Sequence, residues 1–289
     1  MSRGVLLLAH GTPDTLEDMP EYLRLVRDGR EPSPALVEEM RHNYAAIGGR
    51  SPLTDITRAQ AAALAREVGQ PVFVGMRNWR PFIAEALREA QAAGVTDLLA
   101  VPMAPQYSTL SVEKYGRAVE AGRPEGVRIR FIRSWHDHPG LQEAFAARVR
   151  EARARRDWEA VVFTAHSLPV RVAEEGDPYP EHVEDTAAGV ARRAAVSGYR
   201  IAYQSAGRTP EPWLGPELEA VLEDLARQGA RSALVVPIGF VCDHTEILFD
   251  LDVKARSFAS ERGLEMGRTE SLNTAPAFIR ALGDLVRAS

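Results

Sequence analysis

The chain has 289 residues, 45% of them hydrophobic, with 35 basic against 40 acidic side chains and a formal net charge of -5. That size can bury a large core and lies between one large domain and two ordinary ones, and the acidic balance gives no electrostatic footprint for nucleic acid or an anionic membrane. Cys242 is the single cysteine, which excludes an internal disulfide, a CxxC metal clamp and a cysteine-ligated iron–sulfur cluster from this chain alone and fits a reducing compartment.

The first apolar run, residues 4–9, is far shorter than the roughly 20 residues of a spanning helix and lacks the features of a secretory signal. A cytoplasmic protein without an integral membrane segment is expected. Further short apolar runs at 71–75, 97–102, 127–132, 160–164, 199–203 and 232–237 predict strands, and amphipathic stretches at 54–68, 81–93, 140–155, 181–196 and 216–228 predict helices. This alternation is the rhythm of parallel sheets with helices on both faces, and the unbroken apolar character of the runs suits strands covered on both sides. The charge run at 148–156 reads as the solvated face of the helix 140–155. A domain boundary beside it gives an N-terminal α/β domain, 1–139, and a C-terminal α/β domain, 140–289, with the final helix free to pack back on the first half.

Two segments echo each other. "LLLAHGTP" (6–13) and "VFTAHSLP" (162–169) share an A-H-x-x-P pattern, and each half contains a strand ending in Val-Pro, in "LLAVPMAPQY" (98–107) and "ALVVPIGFVC" (233–242). The offsets differ, so an internal duplication altered by insertions is the simplest model. Residues past the carboxyl ends of parallel strands line the binding crevice, which places all four segments at a cleft between two similar domains.

His166, directly after a strand, is open to a structural or a functional reading. In "CDHTEILFDLD" (242–252), a helix starting near 243 would put Asp243, Glu246 and Asp250 on one stripe. Negative charge at a helix N-terminus is favourable by ~0.3–1 kcal/mol, which accounts for the first two but not for Asp250. Carboxylates with a neutral imidazole suit a divalent first-row metal in an open, weak site, and Lys254 ends the acidic track. His42, His182, His244 and the "HDH" at 136–138 read as ordinary structural residues, with Asp137 or His138 shaping the start of the next helix.

"TAHSLP", "YQSAGRTPEPWLGP" (203–216), "PIGFVCDHTEILFDLD" (237–252), "AIGGRSPL" (46–53) and "LAHGTPDTLEDMPEYL" (8–23) together resemble the ferrochelatase family, from the first strand to the final helix. The resemblance implies insertion of Fe(II) into a porphyrin held between two flavodoxin-like domains. By that likeness His166 receives pyrrole protons or binds the incoming iron, Glu246 is its acidic partner, and Asp250 extends the metal site. Fe(II) and porphyrin are then substrates, with no permanently bound cofactor. The short form of the chain resembles that of bacteria making haem through coproporphyrin, so coproporphyrin III is the expected substrate. Protoporphyrin IX remains the alternative, as does a cobalt or nickel tetrapyrrole chelatase, which would want more histidines and more basic residues. A periplasmic-type binding protein or a flavodoxin-like redox module fits less well.

Arginine forks bind carboxylates bidentately, so Arg27 and Arg30 are candidates for the porphyrin propionates, Arg27 matching the family's propionate-binding arginine. Tyr44, Ser51 and Tyr115 resemble family substrate contacts. His10 stands where many bacterial relatives have a tyrosine able to approach the porphyrin iron, and its imidazole could coordinate metal. A monomer is expected, making transient contacts with other haem-biosynthesis enzymes.

Overall fold

The computed structural model of the chain describes residues 2–207 and 209–289. The continuous apolar runs become two four-stranded parallel sheets. The first contains β1 (Arg3–Ala9), β2 (Val72–Met76), β3 (Asp97–Pro102) and β4 (Arg128–Phe131) in the order β2-β1-β3-β4. The second contains β5 (Ala160–His166), β6 (Arg200–Gln204), β7 (Ser232–Val236) and β8 (Glu265–Arg268) in the order β6-β5-β7-β8. The two orders are the same, the flavodoxin-like arrangement expected of both halves. The central strands are buried on both faces, as in β1 and β7, which is why their sequences do not alternate. β8, "EMGR", is a short edge strand with one buried side chain, and it leaves no apolar run to read.

The helices of the crossovers cover both sheets. Between β1 and β2 lie α1 (Met19–Val26), α2 (Pro34–Ala46) and α3 (Leu53–Val68), and α4 (Ile83–Ala92) and α5 (Val112–Ala121) follow in the first half. The chain then passes through α6 (Pro139–Arg155) into the second half, with α7 (Val170–Glu174), α8 (Tyr179–Ala194), α9 (Leu218–Arg227) and α10 (Thr245–Leu248). A π-helical turn, Asp250–Ala255, leads to α11 (Arg256–Ser260), and α12 (Pro276–Ala288) ends the chain. His138 caps α6, its Nδ1 accepting from Gly140 N at 3.2 Å, the role its place in the sequence suggested. No helix among the described residues is long and apolar enough to cross a membrane.

One apolar core joins the two sheets, with Leu7 and Val101 of the first, Phe163 and Val236 of the second, Phe145 of α6 and Phe278 of α12. Burying each such side chain contributes about 1.5–3 kcal/mol, so this shared core fixes the sheets relative to each other. α12 returns to lie on α3 and α6. Its approach needs Gly140, where an added Cβ would come 2.8 Å from Ala281 Cβ. A separate small core of Met19, Leu23, Val37 and Trp79 holds α1 and α2 as an outlying wall above the ends of the first sheet.

Polar staples tie the loops at these strand ends. The buried Asp177 carboxylate accepts from Ser108 Oγ at 3.1 Å, Thr109 N at 2.6 Å and Thr109 Oγ1 at 2.7 Å. Gln106 Nε2 donates to the Ile238 carbonyl at 3.1 Å. All four bonds run from the first half to the second, and Gln106 lines the cleft between the halves.

Candidate active site

A cleft of about 1050 Å³ opens where the carboxyl ends of β1, β3, β5 and β7 converge. Its second-half wall is built from three chain segments. His166 ends β5 and is in register with Gln204 of β6. Glu246 sits in the first turn of α10, and Gln204 Nε2 holds the Glu246 carbonyl at 3.1 Å. Gly239, after β7, passes so close to β5 that a Cβ there would lie 2.8 Å from Ala165 Cα, so the following loop can bring α10 over the strand ends.

Glu246 lies between two imidazoles. His166 Nε2 is 3.6 Å from its Oε1, and His244 Nε2 is 3.6 Å from its Oε2. Each ring is fixed at its other nitrogen: His166 Nδ1 bonds the Ser167 carbonyl and His244 Nδ1 the Cys242 carbonyl, so both Nε2 atoms face the carboxylate. Burial alone would lower the His166 pKa, but the Glu246 carboxylate outweighs it and raises it to about 9. Burial would likewise raise Glu246, and the imidazole of His166, then that of His244, holds it well below the ordinary carboxylate range. The pair is therefore an imidazolium and a carboxylate at neutral pH. No three His, Cys, Asp or Glu side chains among the described residues converge as a ready metal cage.

Asp250 also lines the cleft, hydrogen-bonded by Ser205 Oγ. Burial, then the nearby Glu246, raises its carboxyl to about 6. The expected stripe of three carboxylates is corrected here. His244, the N-cap of α10, is in extended conformation, so the helix starts after Asp243. That carboxylate points away, accepting from Ser271 Oγ at 2.7 Å and Asn273 Nδ2 at 2.8 Å and pairing with Arg268 at 3.2 Å. Lys254 pairs with Glu219 at 2.7 Å. Cys242 lines the cleft, its thiol pushed by burial to about 12.

The first half forms the opposite wall. His10, Arg27, Tyr44, Ser51 and Tyr115 all line it. Tyr44 Oη and Thr12 Oγ1 share a hydrogen bond at 2.9 Å, and Ser51 Oγ accepts from Leu53 N at 3.4 Å. Arg27 Nε is buried without a partner. Arg30 is the exception among the expected residues: it is exposed, lies outside the cleft lining, and donates its Nε to the Arg27 carbonyl at 3.1 Å. Asp28 and Gly29, at φ 54° and 89°, turn the chain away from the cleft before it.

Arg77 and His244 are among the cleft residues that escaped the sequence reading. Arg77, just past β2, lies over the Tyr115 ring at 5.4 Å from its centroid. Its position after a strand end was the available signal. His244, read as ordinary, has its Nε2 on Glu246. By contrast His136 and His182 stack on each other at 3.7 Å and His42 packs edge-on against Phe249; none of the three lines the cleft.

Two like-ordered parallel sheets facing each other across such a cleft are the architecture of chelatase-type proteins. SirB from Bacillus subtilis superposes with a TM-score of 0.64 over 99% of this chain and 95% of its own, at 15% identity, a likeness of fold alone. The ferrochelatase family model matches residues 2–289. A ferrochelatase from Deinococcus radiodurans is 42% identical, covering 98% of this chain and 94% of that protein. A coproporphyrin III ferrochelatase from Halalkalibacterium halodurans is 36% identical, covering 98% and 96%. The chain belongs to the ferrochelatase family, the enzymes that insert iron into porphyrin.

Proposed function

We propose that this ferrochelatase takes coproporphyrin III as its substrate and forms iron coproporphyrin. One observation carries the reading. Arg27 and Arg77 both line the cleft, Arg27 with its Nε buried and unpartnered, and Arg77 resting on the Asn78 amide oxygen and the Tyr115 ring. Guanidinium groups in a cleft favour a substrate rich in carboxylates, and coproporphyrin has four propionates where protoporphyrin IX has two. The relatives named coproporphyrin III ferrochelatase support the same choice.

In this reading Fe(II) is a substrate that arrives hydrated. Glu246 and His166 Nε2 replace some of its water, and the proton they share is released. As iron passes into the macrocycle, the vacated His166 takes up one pyrrole proton and Asp250, with its carboxyl near 6, takes the second. His244 steadies the second oxygen of Glu246 throughout. The enzyme works as a cytoplasmic monomer without a resident cofactor or iron–sulfur cluster, meeting other haem-biosynthesis enzymes only transiently.

The test is anaerobic metallation with Fe(II), followed by the Soret shift, on coproporphyrin III and protoporphyrin IX in parallel. Each lost charge-assisted hydrogen bond costs ~1.5–3 kcal/mol, so kcat/KM is expected to favour coproporphyrin by tenfold or more. Arg27→Met should erode that preference. Equal kcat/KM for the two porphyrins in the unaltered enzyme overturns the coproporphyrin reading and leaves the iron-insertion activity in place.

A further inference from the structure

His10 lines the cleft, yet neither of its ring nitrogens is free. Nδ1 lies 3.2 Å from the Gly11 carbonyl and 3.2 Å from Tyr22 Oη. Nε2 lies 3.0 Å from Asn78 Nδ2. The direction of that last bond follows from chemistry. Arg77 Nε, which can only donate, is 3.3 Å from Asn78 Oδ1, so the other end of the amide is the NH2 group. The amide NH2 can only donate, so Nε2 must accept, and the proton of the neutral ring sits on Nδ1. Burial, then Arg77, lowers the His10 pKa to about 4, which agrees with a neutral ring.

The pairing is built into the backbone. Asn78 N donates to the His10 carbonyl at 2.9 Å. Gly11, at φ 87°, lets the chain after β1 pass where a Cβ would lie 2.9 Å from Trp79 N. Asn78 is 5% exposed and lies behind the cleft lining, so its amide depends on the partners that the protein supplies. His10 therefore offers the cleft its ring carbons while its one lone pair is directed into the protein.

That arrangement matters after metallation. A neutral imidazole with a free nitrogen is a strong axial ligand for porphyrin iron, and a product so ligated leaves slowly, which limits turnover in many enzymes. We propose that Asn78 is a positioning residue that occupies Nε2 of His10 and so keeps this imidazole off the iron of the product. Ligation by His10 would first break a buried hydrogen bond and leave the Asn78 amide unsatisfied.

The inference rests on iron–porphyrin chemistry and not on which porphyrin is preferred, so the probes are iron(III) coproporphyrin III and iron(III) protoporphyrin IX, both added to the purified protein. Resonance Raman and absorption spectra report axial ligation, and stopped-flow transfer of the iron porphyrin to apomyoglobin reports release. In the unaltered enzyme the spectra should show no imidazole ligand, and His10→Phe should leave them unchanged. Asn78→Ala should introduce an imidazole-ligated spectrum and slow release at least tenfold, with single-turnover metallation retained. Asn78→Leu, which keeps the volume and removes the donor, should do the same if the smaller residue unfolds the loop. His10→Phe combined with either substitution should restore the original spectrum and release rate. The proposal is overturned if the unaltered enzyme already shows imidazole ligation that His10→Phe abolishes, or if folded Asn78 variants keep the original spectrum and release rate.

Discussion

Replacing Glu246 by glutamine should uncouple the two imidazoles that flank it. Glutamine keeps the shape and removes the charge that holds His166 at about 9 against its ordinary 6.5. Burial remains, opposed only by the Ser167 carbonyl and the Asp250 carboxylate, so His166 should titrate well below 9 in the variant. The interval from 6.5 to 9 corresponds to about 3 kcal/mol. The side chains of His166 and Glu246 are 31% and 38% exposed, so solvent screening reduces the expected coupling to about 1–2 kcal/mol. The sign follows from linkage. A histidine whose folded pKa is raised contributes its stability fully below 6.5 and loses it as pH climbs through 9. The thermal midpoint of the unaltered protein should therefore fall across pH 6.5–9, and that of Glu246→Gln should be flatter in this window. The direct assay is the NMR titration of the His166 Cε1–H resonance, assigned by its absence in His166→Ala. Iron-dependent turnover should fall by about 100-fold, since the carboxylate that would bind Fe(II) and orient both rings is gone. A His166 resonance still titrating near 9 in Glu246→Gln would refute the electrostatic account of this pair.

Asp250→Asn should stabilise the fold at pH 8 and not at pH 4, because a buried carboxyl raised to about 6 costs stability once ionised; thermal melts at the two pH values decide it. The same variant should lose the activity limb near pH 6, read from the pH profile of kcat. Asp177→Asn weakens three cross-cleft hydrogen bonds at once, with an expected loss of about 2–3 kcal/mol in urea unfolding. It should raise KM for the porphyrin more than it lowers kcat, and an unchanged KM would show that the staple does not set the cleft.

The strands were legible because burial on both faces strips them of alternation, and the place of His166 in the cleft because it directly follows one of those runs, whereas Glu246 stood out only through the expected carboxylate stripe and the family resemblance. What stayed hidden depended on directions that residue types do not encode. Periodicity assumed a helix from 243, whereas His244 is extended and the helix widens at Asp250 into a π-helical turn. That difference moved Asp243 out of the cleft and aimed His244 at Glu246. Arg30 failed for a similar reason: helical spacing from Arg27 no longer applies after the left-handed turn at Asp28 and Gly29. β8 was missed because an edge strand of four residues with one buried side chain carries little periodic signal, and α2 because only Val37 and Tyr44 of its 13 residues are buried.

The two halves share a strand order and divide the labour. In the second half the residue after the β5 apolar run is His166, and the loop after β7 swings α10 over it, so an imidazole acquires a carboxylate and a high pKa. In the first half the corresponding residue is His10, and here the chain after β1 is met instead by the loop after β2, which brings Asn78 and Arg77. Burial, then the Arg77 cation, depresses the basicity of the ring, and the Asn78 amide occupies its lone pair. The insertion of α1 and α2, unmatched in the second half, adds Tyr22, Arg27 and Tyr44 to this wall. Two histidines at like places after the first strand of each sheet thus meet different neighbours: one faces a carboxylate that raises its pKa, and the other gives its lone pair to a buried amide and stays neutral.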